Sequence, residues 1–200
     1  GAAAALKKLS MTATAQWLDS IASVDSVPRV LDDAARQHVG GNNGALPVFV
    51  VYDLPNRDCS AKASAGELNL DNGGEARYRT EFIDKIAEHF RAHPQQRIVA
   101  ILEPDSLANL ATNLNVDKCA ASERVYRASI AYAVAKLSLP NVYLYLDAAH
   151  SGWLGWDGNR QRIERVFKEV DDKLGGLDVL QQQQRDQGVG QHQCRVARGL

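Results

Sequence analysis

Three apolar runs in this sequence end in side chains that can exchange protons. The middle run, Arg97 to Asp105 (RIVAILEPD), closes on Glu103 and Asp105. The run PVFVVYDL before it closes on Tyr52 and Asp53, and NVYLYLDAAH after it closes on Asp147 and His150. A polar stretch from Pro55 to Gly74, rich in Gly, Ser and Asn, adds Arg57, Asp58, Cys59 and Ser64. Carboxyl and imidazole groups are the usual agents of general acid and base chemistry. A carboxyl group placed where a strand gives way to a helix is a common catalytic address in α/β folds.

The elements around these residues follow from pattern. Ile98 to Leu102 is short, β-rich and without alternation, which predicts a parallel strand covered on both faces. Pro104 ends its ladder because it has no N–H to give, and Asp105 or Ser106 can cap the helix SLANLATNL. Trp17, Leu18 and Ile21 recur at helical spacing within Thr12 to Asp25, which predicts a helix there. Pro28 opens a second helix through Val30, Leu31, Ala34 and Ala35, and Gly40 to Gly44 break the chain before the strand that ends at Tyr52 and Asp53, read as the first. Further helices are predicted over Glu75 to His93, over Ser122 to Leu137, and through Ile163, Val166, Phe167, Val170 and Leu174 after a loop, SGWLGWDGN, with two tryptophans. Alternating strands and helices imply right-handed crossovers and a parallel sheet. Loops at the carboxyl ends of such strands share one rim, so topology alone gathers Asp53, Asp58, Glu103, Asp105, Asp147 and His150.

Composition narrows the partners. Two hundred residues suffice for one domain with a core, and a net charge of −1 with both signs interspersed gives no bulk attraction to nucleic acid or membrane surfaces. No window is apolar over the length needed to span a bilayer, and the start GAAAALKKLS shows no secretory signal pattern. Neither a phosphate-cradling glycine motif nor a dinucleotide fingerprint follows any strand, so no cofactor is expected. Cys59, Cys119 and Cys194 permit one bridge and one leftover, and their spacing matches no zinc pattern, so no metal is expected either. The Gln-rich segment 175–200 has little periodicity and is predicted to be a poorly packed tail, separate from a unit over 1–174.

Three segments of this chain resemble glycoside hydrolase family 6, the cellobiohydrolase II and endoglucanase group acting on β-1,4-glucans. They are Val50 to Glu67 (VVYDLPNRDCSAKASAGE), Ile101 to Leu114 (ILEPDSLANLATNL) and Leu139 to Trp156 (LPNVYLYLDAAHSGWLGW). The resemblance implies a partial, distorted (β/α) barrel, a secreted monomer, and hydrolysis of cellulose or soluble β-1,4-glucan with inversion. By the same resemblance Asp105 is the general acid, Asp58 keeps it protonated and joins the water-mediated proton route, Ser64 binds that water, and Tyr52 presses on the sugar at the cleavage point. Inversion implies carboxyl groups roughly 6.5 to 9.5 Å apart, leaving room for water. Asp147, His150 and Asn113 match substrate-binding positions, Trp153 and Trp156 match stacking platforms on the leaving-group side, and Cys59 with Cys119 matches a family disulfide. The family's downstream aspartate base, its later strands and second disulfide, and the tryptophan subsite ahead of its first helices find no match in the chain.

Each residue also has a plainer reading. Asp105 could cap a helix, Glu103 could serve an internal hydrogen bond, and Asp147 could pair with Arg57 or a lysine. Trp153 and Trp156, three apart, could be core residues on one helical face. The alternative at the level of function is a truncated, inactive fragment that at most binds glucan through Trp153 and Trp156.

Overall fold

The computed structural model describes residues 2–10, 12–37, 45–61, 63–175 and 195–196. Within them five parallel strands lie side by side in chain order: β1 (Gln16–Leu18), β2 (Val48–Val51), β3 (Ile98–Leu102), β4 (Val142–Leu146) and the two-residue β5 (Arg195–Val196). A parallel sheet that never reverses its order keeps every right-handed crossover on the same side. The helices are α1 (Ala2–Ser10), α2 (Val27–Arg36), α3 (Gly74–Arg77), α4 (Asp84–Ala92), α5 (Ser106–Thr112), α6 (Asp117–Leu137), α7 (Ser151–Leu154) and α8 (Asp157–Gly175). None of the described helices is long and apolar enough to cross a membrane. The predicted parallel α/β architecture is what the chain forms.

Strand register separates two faces. Leu18, Val51, Leu102 and Leu146 are aligned across the sheet, as are Phe49, Ala100 and Leu144, and all seven belong to the buried cluster formed with the helices. The opposite face carries Trp17, Val50, Ile101 and Tyr145 in one row and Val48, Val99 and Tyr143 in another. Trp17 is 50% exposed and Tyr143 44%, so among the described residues the helices cover only one face. This corrects the expectation that β3 is covered on both: its exposure alternates, with Ile98, Ala100 and Leu102 buried and Val99 and Ile101 intermediate.

The predicted helix over Thr12 to Asp25 is also corrected. Gln16–Leu18 form an edge strand and Ile21–Ser26 a short 3-10 turn that runs into α2. Three residues are too few to show a period of two, and the ladder offered by β2 overrides local spacing. The strand at Val48–Val51 is therefore the second, not the first. The run from Gly74 to Ala92 is helical throughout but widens into a π turn at Tyr78–Ile83 between α3 and α4. The two-tryptophan loop contains a short helix, α7. Gly40 to Gly44 lie outside the described residues, as does the predicted tail apart from Gly175 and β5.

Candidate active site

The carboxyl ends of β2, β3 and β4 open onto one rim, and the backbone there is strained. Every non-glycine residue with positive φ among the described residues belongs to these connections: Asn56 (61°), Asp58 (52°), Ser64 (65°), Glu103 (47°), Asp105 (62°) and Ala149 (51°). A left-handed backbone costs an L-residue about 1 to 2 kcal/mol. Such strain persists only where surrounding bonds fix it. Four of the six, Asp58, Ser64, Glu103 and Asp105, are residues singled out from the sequence.

Asp105 stands immediately before α5 but makes no capping bond there with its side chain, so the plainer reading of it as a helix cap does not hold. Its N–H donates to Asp147 Oδ1 at 2.8 Å, and the same oxygen accepts from Ala149 N–H at 2.9 Å. Asp147 therefore holds the turn after β4 and the backbone of Asp105 together, rather than pairing with Arg57 or a lysine. Burial, then the nearby charges of Asp147 and Asp58, push the Asp105 carboxyl above the ordinary carboxylate range, and His150 partly opposes them. Asp58 accepts a hydrogen bond from the Tyr52 hydroxyl. Burial and that bond to a carboxylate raise the Tyr52 phenol, which stays protonated as a donor.

Arg57 ties the Asp58 loop down. Its guanidinium lies 4.4 Å over the Tyr52 ring, and it donates to the carbonyls of Tyr52, of Asp19 at 2.7 Å and of Ser64 at 2.9 Å. Ser64, exposed on the loop, is thus brought to the same assembly through its backbone. Gly66 lets the chain pass close beside it, because a Cβ there would stand a tight 3.0 Å from both Arg57 Nε and Asp53 Oδ1 and would press on that pair. From the other side the Cys59–Cys119 disulfide, with Cα atoms 4.9 Å apart, fastens the loop to α6.

Beneath the rim lie two fully buried carboxyl groups, Asp53 and Glu103. Glu103 accepts from Tyr78 OH at 2.9 Å, Leu54 N–H at 3.1 Å and Asp53 N–H at 3.3 Å. Its internal role is the plainer one expected for it. The Asp53 carboxyl, among the described residues, bonds only Arg57, at 3.5 Å through Oδ1, and its Oδ2 is buried with no hydrogen-bond partner. Burial first, and the charge of Glu103 second, push Asp53 up to about 8. Burial raises Glu103 to about 7 against the pull of its three donors. The π turn matters here, since it carries Tyr78 into reach of Glu103.

On the far side, Trp153 is packed against the core and donates Nε1–H to Thr112 at 2.9 Å, while Trp156 is 70% exposed. The exposed His150 ring lies 6.2 Å from that of Trp153. Asn113 donates to Asn109 Oδ1 at 2.7 Å and to Ser60 Oγ at 3.2 Å. The arrangement suits proton transfer, with a carboxyl pushed toward its neutral form by burial and by neighbouring carboxylates, and the same group of loops carries exposed indole surface of the kind that suits flat apolar sugar faces.

A family description, Glycosyl hydrolases family 6, matches residues 1–179. The chain belongs to that family. A 1,4-beta-D-glucan cellobiohydrolase of Podospora anserina is 48% identical over 156 residues, which are 78% of this chain and 37% of that relative. Among solved structures, cellobiohydrolase II (Cel6A) from Humicola insolens, in complex with glucose and cellotetraose, is similar with a TM-score of 0.77 at 39% identity, over 80% of this chain and 45% of that one. Endoglucanase Cel6B from Humicola insolens gives 0.76 at 29%, over 80% and 46%. The chain thus spans less than half the length of these family 6 proteins.

Two residues of this family 6 rim escaped sequence reasoning. Trp17, assigned to a helix face, stands on β1 with its ring 5.5 Å from Tyr52 and perpendicular to it. Half exposed, it is a third indole at the rim; its place directly before a buried Leu18 was the one available hint. Asn109 is 3% exposed and bonded on several sides, yet its position within a helical run gave no signal.

Proposed function

We propose that this chain hydrolyses β-1,4-glucosidic bonds of cellulose or soluble glucan with inversion, and that it works outside the cell, where a Cys59–Cys119 disulfide persists. Asp105 delivers its proton to the glycosidic oxygen as the bond from C1 to that oxygen breaks. Water adds to C1 from the opposite face, and its surplus proton leaves along a water path held by Ser64 and ending at Asp58. Tyr52 keeps Asp58 oriented through its hydroxyl and presses its ring toward the sugar at the cleavage point. Trp153 and Trp156, with His150, Asn113 and Asp147, hold the leaving-group side. The names of the relatives, cellobiohydrolase and endoglucanase, support this substrate class.

One observation carries the proposal: Asp105 sits in a fixed, strained turn with its carboxyl pushed toward the neutral form by burial and by Asp147 and Asp58. The purified chain should release soluble oligosaccharide from swollen cellulose. Asp105→Asn should lower the rate by on the order of a thousandfold. The rate should fall as pH rises through the Asp105 pKa, because only the protonated acid donates. Wild-type release by folded Asp105→Asn would reject Asp105 as the acid, and no release by the folded parent chain would reject the activity.

A further inference from the structure

We propose that Asn109 is a positioning residue that couples the two halves of the proton-transfer site, fixing the loop of Asp58 relative to the turn of Asp105. The inference rests on the hydrolytic reading above and extends it to a residue with no assigned part. Asn109 lies one helical turn after Asp105 on α5 and is 3% exposed. Its side-chain Nδ2 donates to the Asp105 carbonyl at 3.0 Å, and its backbone N–H donates to the same carbonyl at 3.0 Å. Its Oδ1 accepts from Ser60 Oγ at 2.7 Å and from Asn113 Nδ2 at 2.7 Å. Ser60 is two residues beyond Asp58, so an unbroken path runs Asp105, Asn109, Ser60, Asp58.

Asn113 adds a bond from the far end of α5 to the same Ser60 hydroxyl, but Asn109 is the one side chain among the described residues that bonds both Ser60 and Asp105 itself. The disulfide binds the loop to α6 and Arg57 binds it to the ends of β1 and β2, but neither reaches Asp105. Both joined segments carry left-handed residues, Asp58 and Asp105, whose backbones relax unless bonds on both sides hold them. A carboxamide suits the task because it donates at one end and accepts twice at the other. Leucine has a similar volume and can do neither.

The test uses the full chain with Asn109→Leu, Ser60→Ala and the double variant, each checked for folding by thermal melt. Two readouts are taken: hydrolysis of cellotetraose, and titration of the Asp105 carboxyl by NMR with carbon-13 aspartate. We expect kcat of Asn109→Leu to fall by on the order of a hundredfold with KM nearly unchanged. The Asp105 midpoint should move down as Asp58 drifts away. The double variant should add little to Asn109→Leu, since both substitutions cut one path. A lower melting temperature with kcat and the Asp105 midpoint unchanged would reduce Asn109 to a fold-stabilising residue and overturn the proposal. If the parent chain proves inactive, the hydrolytic reading fails, while the Asp105 midpoint still decides the coupling. If Asn109→Leu does not fold, Ser60→Ala carries the same two readouts, and wild-type values there overturn the proposal.

Discussion

Asp53 and Glu103 show how a residue-scale arrangement sets a property of the chain. Both are shut away from solvent, and the three donors around Glu103 offset its burial only in part, while Asp53 has less help still. In the unfolded chain each would lose its proton near pH 4. Folded, Asp53 keeps its proton to about pH 8 and Glu103 to about 7. The folded state therefore binds more protons across that window, and stability falls as pH rises through it. Melting temperature should decline from pH 5 to pH 8, and Asp53→Asn, which cannot ionise, should flatten the decline. An equally steep decline in the variant would place its source elsewhere.

At the scale of elements, the loop between β2 and α3 is a case of long chain held by few points. The Cys59–Cys119 bridge closes a separation of 60 residues. Constraint of the unfolded chain by such a loop is worth about 4 kcal/mol. Replacing both cysteines by serine should lower the melting temperature by roughly 10 °C in a domain of this size. Little change on a thermal melt would mean that Arg57 and its carbonyl partners suffice. The parallel strands that lead into Tyr52, Glu103 and Asp147 were legible because a short apolar run, too brief for a helix and closed by a carboxylate, fits little besides a buried strand. β1 was not, since three residues carry no period and its strand character comes from pairing with Val50. The left-handed turns were equally hidden, because aspartate, asparagine and serine at a loop position do not announce positive φ. Asp147 was read as a rim residue, and only its bond to the Asp105 N–H gives it a second, supporting part.

For the whole molecule, the arrangement is a sheet with its core-forming helices packed on one face and the candidate-site loops at the carboxyl ends of its strands. That division separates the packed core from the candidate site: the buried cluster packs beneath one face, while Tyr52, Asp58, Asp105 and Asp147 sit past the strand ends. It also fixes where the indoles fall. The chain has three tryptophans, and each stands by the rim or on its approach: Trp17 against Tyr52, Trp153 beside His150, and Trp156 three residues further, open to solvent. None is set deep in the core, where its emission would be blind to events at the surface. Excited near 295 nm, unlabelled protein should therefore brighten, dim or shift colour as cellotetraose is titrated in, with Asp105→Asn used so that the sugar survives the measurement. A flat spectrum up to millimolar sugar would mean that ligand passes none of them. The fold has, in effect, wired its own fluorophores to its working edge.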